Sequence, residues 1–233
     1  VEIYAVNFFD YKCKYADINI FVETVSNILF KYAPINILIP NQEWYYKTWI
    51  PYVNKFDRIF TKTNYAQQIF QDIKEDKSSV RYIGWRSPDR YNNDYDKDYN
   101  KFVHVCGKSK HKQTQLMINC WMSDMPHLTI VYSPKDVNIT HKIQDNIKYI
   151  TERLSDEKLV ELMNTCGVHI CCSDTEGYGH YINEGKSCGA VVVTTAAPPM
   201  CSFIKDGEDG FVVAYGKKTD MDSHLGSTYT FSK

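Results

Sequence analysis

Short runs of apolar, β-branched residues recur along the chain with helix-period stretches between them, the alternation that builds open sheets of mostly parallel strands. VEIYAVNFF at the start reads as a strand, followed by INILIP (35–40), RIFTKT (58–63) and VRYIG (80–84). Between them INIFVETVSNILFKY (18–32) places its apolar residues at helical spacing, and NYAQQIFQDI (64–73) follows a strand as the helix of a βα unit does. The rhythm stops over Trp85–Asn100, a stretch of Pro, Asn and Asp with no apolar run, which reads as a linker. It restarts with FVHVC (102–106), a helix from about Lys112 to Met122, LTIVYS (128–133), IKYI (147–150) and the helix SDEKLVELMNTC (155–166). Ser155 is the expected cap of that helix, and Asp156 and Glu157 sit in its first turn, where carboxylates suit the helix dipole. VHICCS (168–173), a helix starting near Gly179, AVVVTT (190–195) and GFVVAY (210–215) complete the order.

Two such runs predict an α/β fold with two Rossmann-like lobes, each on a parallel sheet. The boundaries are a shortened first lobe over 1–88, a linker over 89–100 and a second lobe over 101–233. Composition changes this picture little: 43% hydrophobic and 24% charged residues in a 233-residue chain suit one large domain or two small ones. No apolar run approaches the roughly 18 residues that span a bilayer. The first residues also lack a signal-peptide pattern, so the expectation is a soluble, cytoplasmic protein. A net charge of −1 and a single short basic cluster, KSKHK at 108–112, argue against nucleic acid as the main partner. The eight cysteines show no C-x-x-C spacing and read as reduced, packed residues.

In open α/β sheets ligands bind beyond the carboxyl ends of strands, which directs the search to three loops. In CGKSKHKQTQ (106–115), Gly107 allows a tight turn and Lys108, Lys110 and Lys112 precede a helix, so the loop is either a phosphate site or a solvated lysine-rich turn. Walker A spacing is absent. In SDTEGYGHYINEG (173–185), Gly177 and Gly179 would let backbone amides approach a ligand at a helix start, although a plain capped helix has the same pattern. In TTAAPPMCSFIKDGEDG (194–210), Pro198 and Pro199 exclude helix until about Met200. DGEDG there reads as a turn, since the calcium-loop spacing is missing.

Paired carboxylates raise the question of glycoside hydrolysis, which needs them roughly 5–10 Å apart. On one helix Glu176 and Glu184 would stand about 12 Å apart, too far for that chemistry. Asp94, Asp96 and Asp98 spell overlapping D-x-D triplets, a metal and nucleotide-sugar signature elsewhere, but they lie in the polar linker and read as a solvated tract. No convincing metal cluster is visible.

The same motifs in the same order, FVHVCGKSKHK, CCSDTEGYGHYINE, AVVVTTAAPPM and IKDGEDGFVV, resemble the donor-binding lobe of the GT-B-fold retaining glycosyltransferases of family 4, the glycosyl transferases group 1 proteins. The likeness covers about residues 101–215. It is greatest to a subgroup carrying EGxGHYINE and APPM, here with Trp121 and PHLTIV as well. The resemblance implies that Lys108 and Lys112 bind the donor diphosphate and that Gly107 belongs to their loop. It implies that Gly177, Tyr178 and Gly179 contact the donor sugar and phosphates, that Glu176 lies against the transferred sugar, and that Glu184 holds the ribose hydroxyls. His180, where the family more often has an apolar residue, is expected to touch the ligand or cap the helix. The implied donor is a UDP or GDP sugar, with no further cofactor and no metal, and the acceptor is an unnamed glycan, protein or lipid. The part before the linker is shorter than the family's first lobe, and neither its glycine-rich acceptor loop nor its terminal crossover helix is evident. A sugar transferase therefore stands beside two alternatives: a nucleotide-sugar-binding module without activity, and a GT-B-fold epimerase or hydrolase.

Overall fold

The computed structural model describes residues 13–231, and in it the alternation of the sequence becomes two parallel sheets with helices between their strands. VEIYAVNFF lies outside the described residues. Two compact units divide the chain: one runs to Trp85 and takes in Asp220–Ser227, the other is Arg86–Thr219 with the chain from Thr228.

In the first unit β1 (Ile18–Val22), β2 (Ile35–Ile39), β3 (Arg58–Thr61) and β4 (Val80–Tyr82) pair in parallel in their order along the chain. The segment 18–32, expected as a helix, is instead β1 followed by a 3-10 turn over Asn27–Tyr32. Ile18, Ile20 and Val22 favour extended backbone, and Glu23 at φ 64° turns the chain where a helix would have to continue. Phe21 stacks on Phe30 and meets Phe56 edge-on at 5.2 Å, so the apolar spacing across the segment is satisfied by a strand facing a turn. Helix α1 (Asn64–Ile73) is capped by the Thr63 side chain and sends Phe70 into the core, edge-on to Tyr45.

The second unit holds a six-stranded sheet: β5 (Asp98–Gly107), β6 (His127–Tyr132), β7 (Ile147–Ile150), β8 (Cys166–Cys171), β9 (Val191–Thr195) and β10 (Gly210–Val213). Its spatial order is β10-β9-β8-β5-β6-β7, all parallel. The chain therefore builds outward from β5 through β6 and β7, then returns to the opposite side of β5 for β8, β9 and β10. Helix α2 (Thr114–Cys120) is shorter than expected, because Gln113 takes a left-handed conformation and separates it from a 3-10 turn over Lys110–Lys112. Helix α3 (Asp156–Thr165) begins as read, with the Ser155 hydroxyl accepting from the Lys158 amide. Helix α4 (His180–Ser187) follows β8. One core cluster gathers Ile118, Leu128, Ile130 and Ile147, another Ile182, Val192 and Met200.

Two short strands escaped the sequence reading: β11 (Lys217–Asp220) and β12 (Ser227–Thr230) form a two-stranded sheet. KKTD has no apolar residue and thus no pattern to read. The polar tract after Trp85 is held on the second unit by hydrogen bonds. The Arg90 amide donates to Ser187 Oγ, Asn92 to Asn164 Oδ1, and Asn164 Nδ2 back to the Arg90 carbonyl. Its lack of an apolar run removed the core signal without removing the anchoring. Asp98 and Tyr99, read as part of the same tract, open β5. Among the described residues no helix is long and apolar enough to cross a membrane, and Cys106, Cys166, Cys171 and Cys188 are buried free thiols.

Candidate functional site

The chain's direction of travel across the sheet reverses between β5 and β8, the kind of switch point beyond whose carboxyl strand ends open α/β sheets hold ligands in a crevice. In this chain the loops leaving those ends are 107–113 and 172–179, the two stretches with the most chemistry in their sequence. They are joined at two points. The Asp174 amide donates to the His111 carbonyl at 2.7 Å, and His111 Nδ1 donates to Asp174 Oδ1 at 2.9 Å. Residues of the C-terminal strand complete the clasp, with the Tyr229 amide donating to the Asp174 carbonyl and Gln113 Nε2 to the Tyr229 carbonyl.

The two lysines expected to act together are in different situations. Lys108 is exposed at the crest of its loop. Lys112 turns inward: Nζ donates to the Val105 carbonyl at 3.0 Å and stands 3.7 Å from the centre of the Tyr181 ring, a cation–π distance. Tyr181 is buried, and its hydroxyl meets Ser173 Oγ, which also donates to Glu176 Oε1 at 2.6 Å. The Thr195 hydroxyl at the end of β9 donates to the Ser173 carbonyl and fixes the base of this chain of contacts. Glu176 is half-buried, and burial raises its carboxyl above the usual range against the opposing pull of Lys112, the Ser173 hydrogen bond and His111. The hydrogen bond to Asp174 raises His111 above the ordinary histidine value, with the charges of Asp174 and Glu176 adding to it and burial opposing it.

Beyond Glu176, Gly177 and Tyr178 are buried and Gly179 sits at φ +98°, where a side chain would be strained and a Cβ would also approach Ile182 Cδ1 to 3.1 Å. That turn delivers the N-terminus of α4 to the crevice. His180 is exposed, with Nδ1 2.9 Å from Ser87 Oγ and its ring edge-on to Tyr178. Glu184, one turn on, faces the Arg90 guanidinium at 3.7 Å and lines a small cavity with Val105, Leu159, His169, Cys171 and Tyr181. Tyr181 thus separates the surroundings of the two glutamates, with Glu176 on its hydroxyl side. The deeper His104 is a core residue: it bonds Ile170 and Thr114, and burial lowers its pKa to about 4, so it is neutral. Beside the β5 loop an open cavity of about 540 Å³ is lined by Lys110, Gln113, Thr114 and the segment 134–139, a size within the range of small-molecule sites.

The structure therefore gathers Gly107, Lys112, Glu176, Gly177, Tyr178 and Gly179 around one pair of strand ends, keeps Lys108 at the rim, and sets His180 and Glu184 along α4. Sequence reasoning missed His111, Ser173, Asp174 and Tyr181, although each lies inside a stretch it had singled out; Arg90 lay in the stretch taken for a linker. Among the described residues no group of three or more His, Cys, Asp or Glu side chains is placed to hold a metal ion.

Residues 132–225 match the family model described as glycosyl transferases group 1. The match includes the 173–185 stretch and begins after the β5 loop. No curated protein matches the chain in sequence. Among solved structures, a pneumococcal O-GlcNAc transferase in complex with UDP and GlcNAc superposes with TM-score 0.64 at 13% identity, covering 84% of this chain and 46% of its own. The Anabaena protein HepE in complex with UDP-glucose gives TM-score 0.59 at 14% identity, with 77% and 58% covered. A glycosyltransferase from Rickettsia africae gives 0.62 at 13% identity, with 84% and 62% covered. At such identities the likeness shows the fold, an α/β architecture of the GT-B type. The chain spans about half of the length of these structures.

Proposed function

We propose that this chain forms part of a glycosyltransferase that moves a sugar from a nucleoside-diphosphate sugar to an acceptor with retention of anomeric configuration. The observation that carries this reading is the switch point between β5 and β8, where a lysine-rich loop meets a glycine turn, the latter inside the region that matches glycosyl transferases group 1. Retention rests on the resemblance of the Glu176 and Glu184 spacing to family 4. A UDP donor is favoured by neighbours solved with UDP and UDP-glucose.

The chemistry fits the residues. Departure of a nucleoside diphosphate builds negative charge on its phosphates, and cations with helix amides already aimed there lower the barrier without reorganising. Lys108 and Lys112 take that role with the α4 N-terminus. Glu176, held by Ser173, faces the sugar, and Glu184, held by Arg90, receives the ribose hydroxyls. In this reading the enzyme needs no metal or further cofactor, works in the cytoplasm, and takes a glycan, protein or lipid acceptor.

A thermal-shift series with UDP, GDP, ADP and their sugars tests binding. A ligand at a hundred times its Kd should stabilise the protein by about 2.7 kcal/mol. Product analysis then separates transfer from mere binding and from acceptor-free turnover, and the anomeric configuration of product reads out retention. If none of these nucleotides raises the melting temperature, the donor-site reading is wrong.

A further inference from the structure

We propose that His111, held by Asp174, is a proton-controlled anion site at this crevice: its imidazolium contacts the diphosphate of the donor and makes donor binding pH-dependent. This deepens the function proposed above and rests on it. The argument begins with geometry. His111 occupies the 3-10 turn between Lys110 and Lys112, the connection that leaves the carboxyl end of β5 at the switch point. A carboxylate only accepts, so the 2.9 Å contact puts a proton on Nδ1 and directs any proton exchanged with a ligand to Nε2. The backbone bond from the Asp174 amide to the His111 carbonyl fixes both residues from the other side. The ring cannot swing away without breaking the clasp between the two loops.

The charges acting on the ring come from both loops. Asp174 is in direct contact and Glu176 lies beyond it, both favouring the cation. On its own turn Lys110 and Lys112 flank it, Lys112 with its ammonium turned to Tyr181 and the Val105 carbonyl. Two carboxylates thus favour the cationic form of a histidine placed among lysines, and a bound diphosphate would strengthen that preference further. A pure staple between loops would need only a hydrogen bond, which a neutral amide could supply.

The experiment measures affinity for UDP-glucose and GDP-mannose across about pH 5.5 to 8.5. Their diphosphates stay fully charged over this range, so any dependence belongs to the protein. Affinity should be about tenfold tighter at the acid end. His111→Gln, which keeps a hydrogen-bonding group, should flatten the profile at the weak level, and Asp174→Asn should move its midpoint to lower pH. Uridine, which lacks phosphate, should bind with no such dependence. Should His111→Gln bind with the wild-type profile, His111 is a staple and the proposal fails while the donor site stands. Absence of binding by the wild type at every pH removes both.

Discussion

The two parallel sheets are built from similar strands, yet among the described residues only the second reverses its strand order. In the first, the described strands β1 to β4 lie side by side in chain order, so the connections between them pass the same way. Its charged groups at the strand ends satisfy one another: buried Lys62, just past β3, donates to Asn41 Oδ1 at 2.7 Å and Glu23 Oε1 at 3.2 Å, and stands over the Trp85 ring. In the second sheet the order reverses at β5 and β8, and the charged groups there sit on two loops that meet through His111 and Asp174. Strand order, more than strand composition, decides which end of which sheet can take a ligand.

The largest effect should come from wedging β8 away from β5, the two strands that carry the site loops. Gly167 lies at the amino end of β8, where it pairs with the start of β5, and a Cβ there would come within 2.5 Å of the Tyr99 Cα. Gly167→Ala should cost about 3 kcal/mol of stability by overpacking and abolish nucleotide-sugar binding, read as a lower melting temperature and a lost thermal shift. Next is a contrast of two inward lysines. Lys112→Met should weaken donor affinity by about 2 kcal/mol, the usual worth of a charged hydrogen bond, in a titration by calorimetry. Lys62→Met should cost about 1 to 3 kcal/mol of stability by leaving Glu23 without a counter-charge, yet leave that affinity unchanged. If Lys62→Met weakens binding as much as Lys112→Met, the contrast between the sheets is mistaken.

Smaller again is Arg90→Ala, which removes the cation facing Glu184. The pair is partly exposed and 3.7 Å apart, so about 0.5 kcal/mol of stability is at stake. A larger loss for ribonucleotides than for their 2′-deoxy forms would locate Glu184 at the ribose. The smallest effect is a pH term in stability without ligand. His111 is raised in the folded protein, so its pairing with Asp174 stabilises fully below the unfolded histidine value and fades as pH rises through the higher folded one. Melting temperatures from about pH 6 to 9 should fall more steeply for the wild type than for Asp174→Asn.

Much of the strand order along the chain was legible because a parallel strand buried on both faces leaves an unbroken apolar run, as in VHICC, VVVTT and LTIVY. The misreading of 18–32 has the opposite origin. Four β-branched and aromatic residues in β1 followed by a second apolar cluster satisfy helical spacing and strand-turn packing alike, and only pairing with β2 decides between them. Glu176, Gly179 and Lys112 stood out as candidates because glycines and charges directly follow an apolar run there, a pattern that a solvated turn or a capped helix shares. His111 and Asp174 were not, since 63 positions separate them and neither is unusual where it stands.

By itself, then, the sequence determined the alternation of strand and helix, the loops that follow strands and the residue types they carry, because these depend on local periodicity and turn chemistry. Which loops face each other was decided by tertiary structure alone. The return of the chain to the far side of β5 brought residue 111 to residue 174, turned Lys112 under Tyr181 while leaving Lys108 at the rim, and drew the polar tract at Arg90 onto α4. Those are long-range consequences of strand order, and no local pattern encodes them.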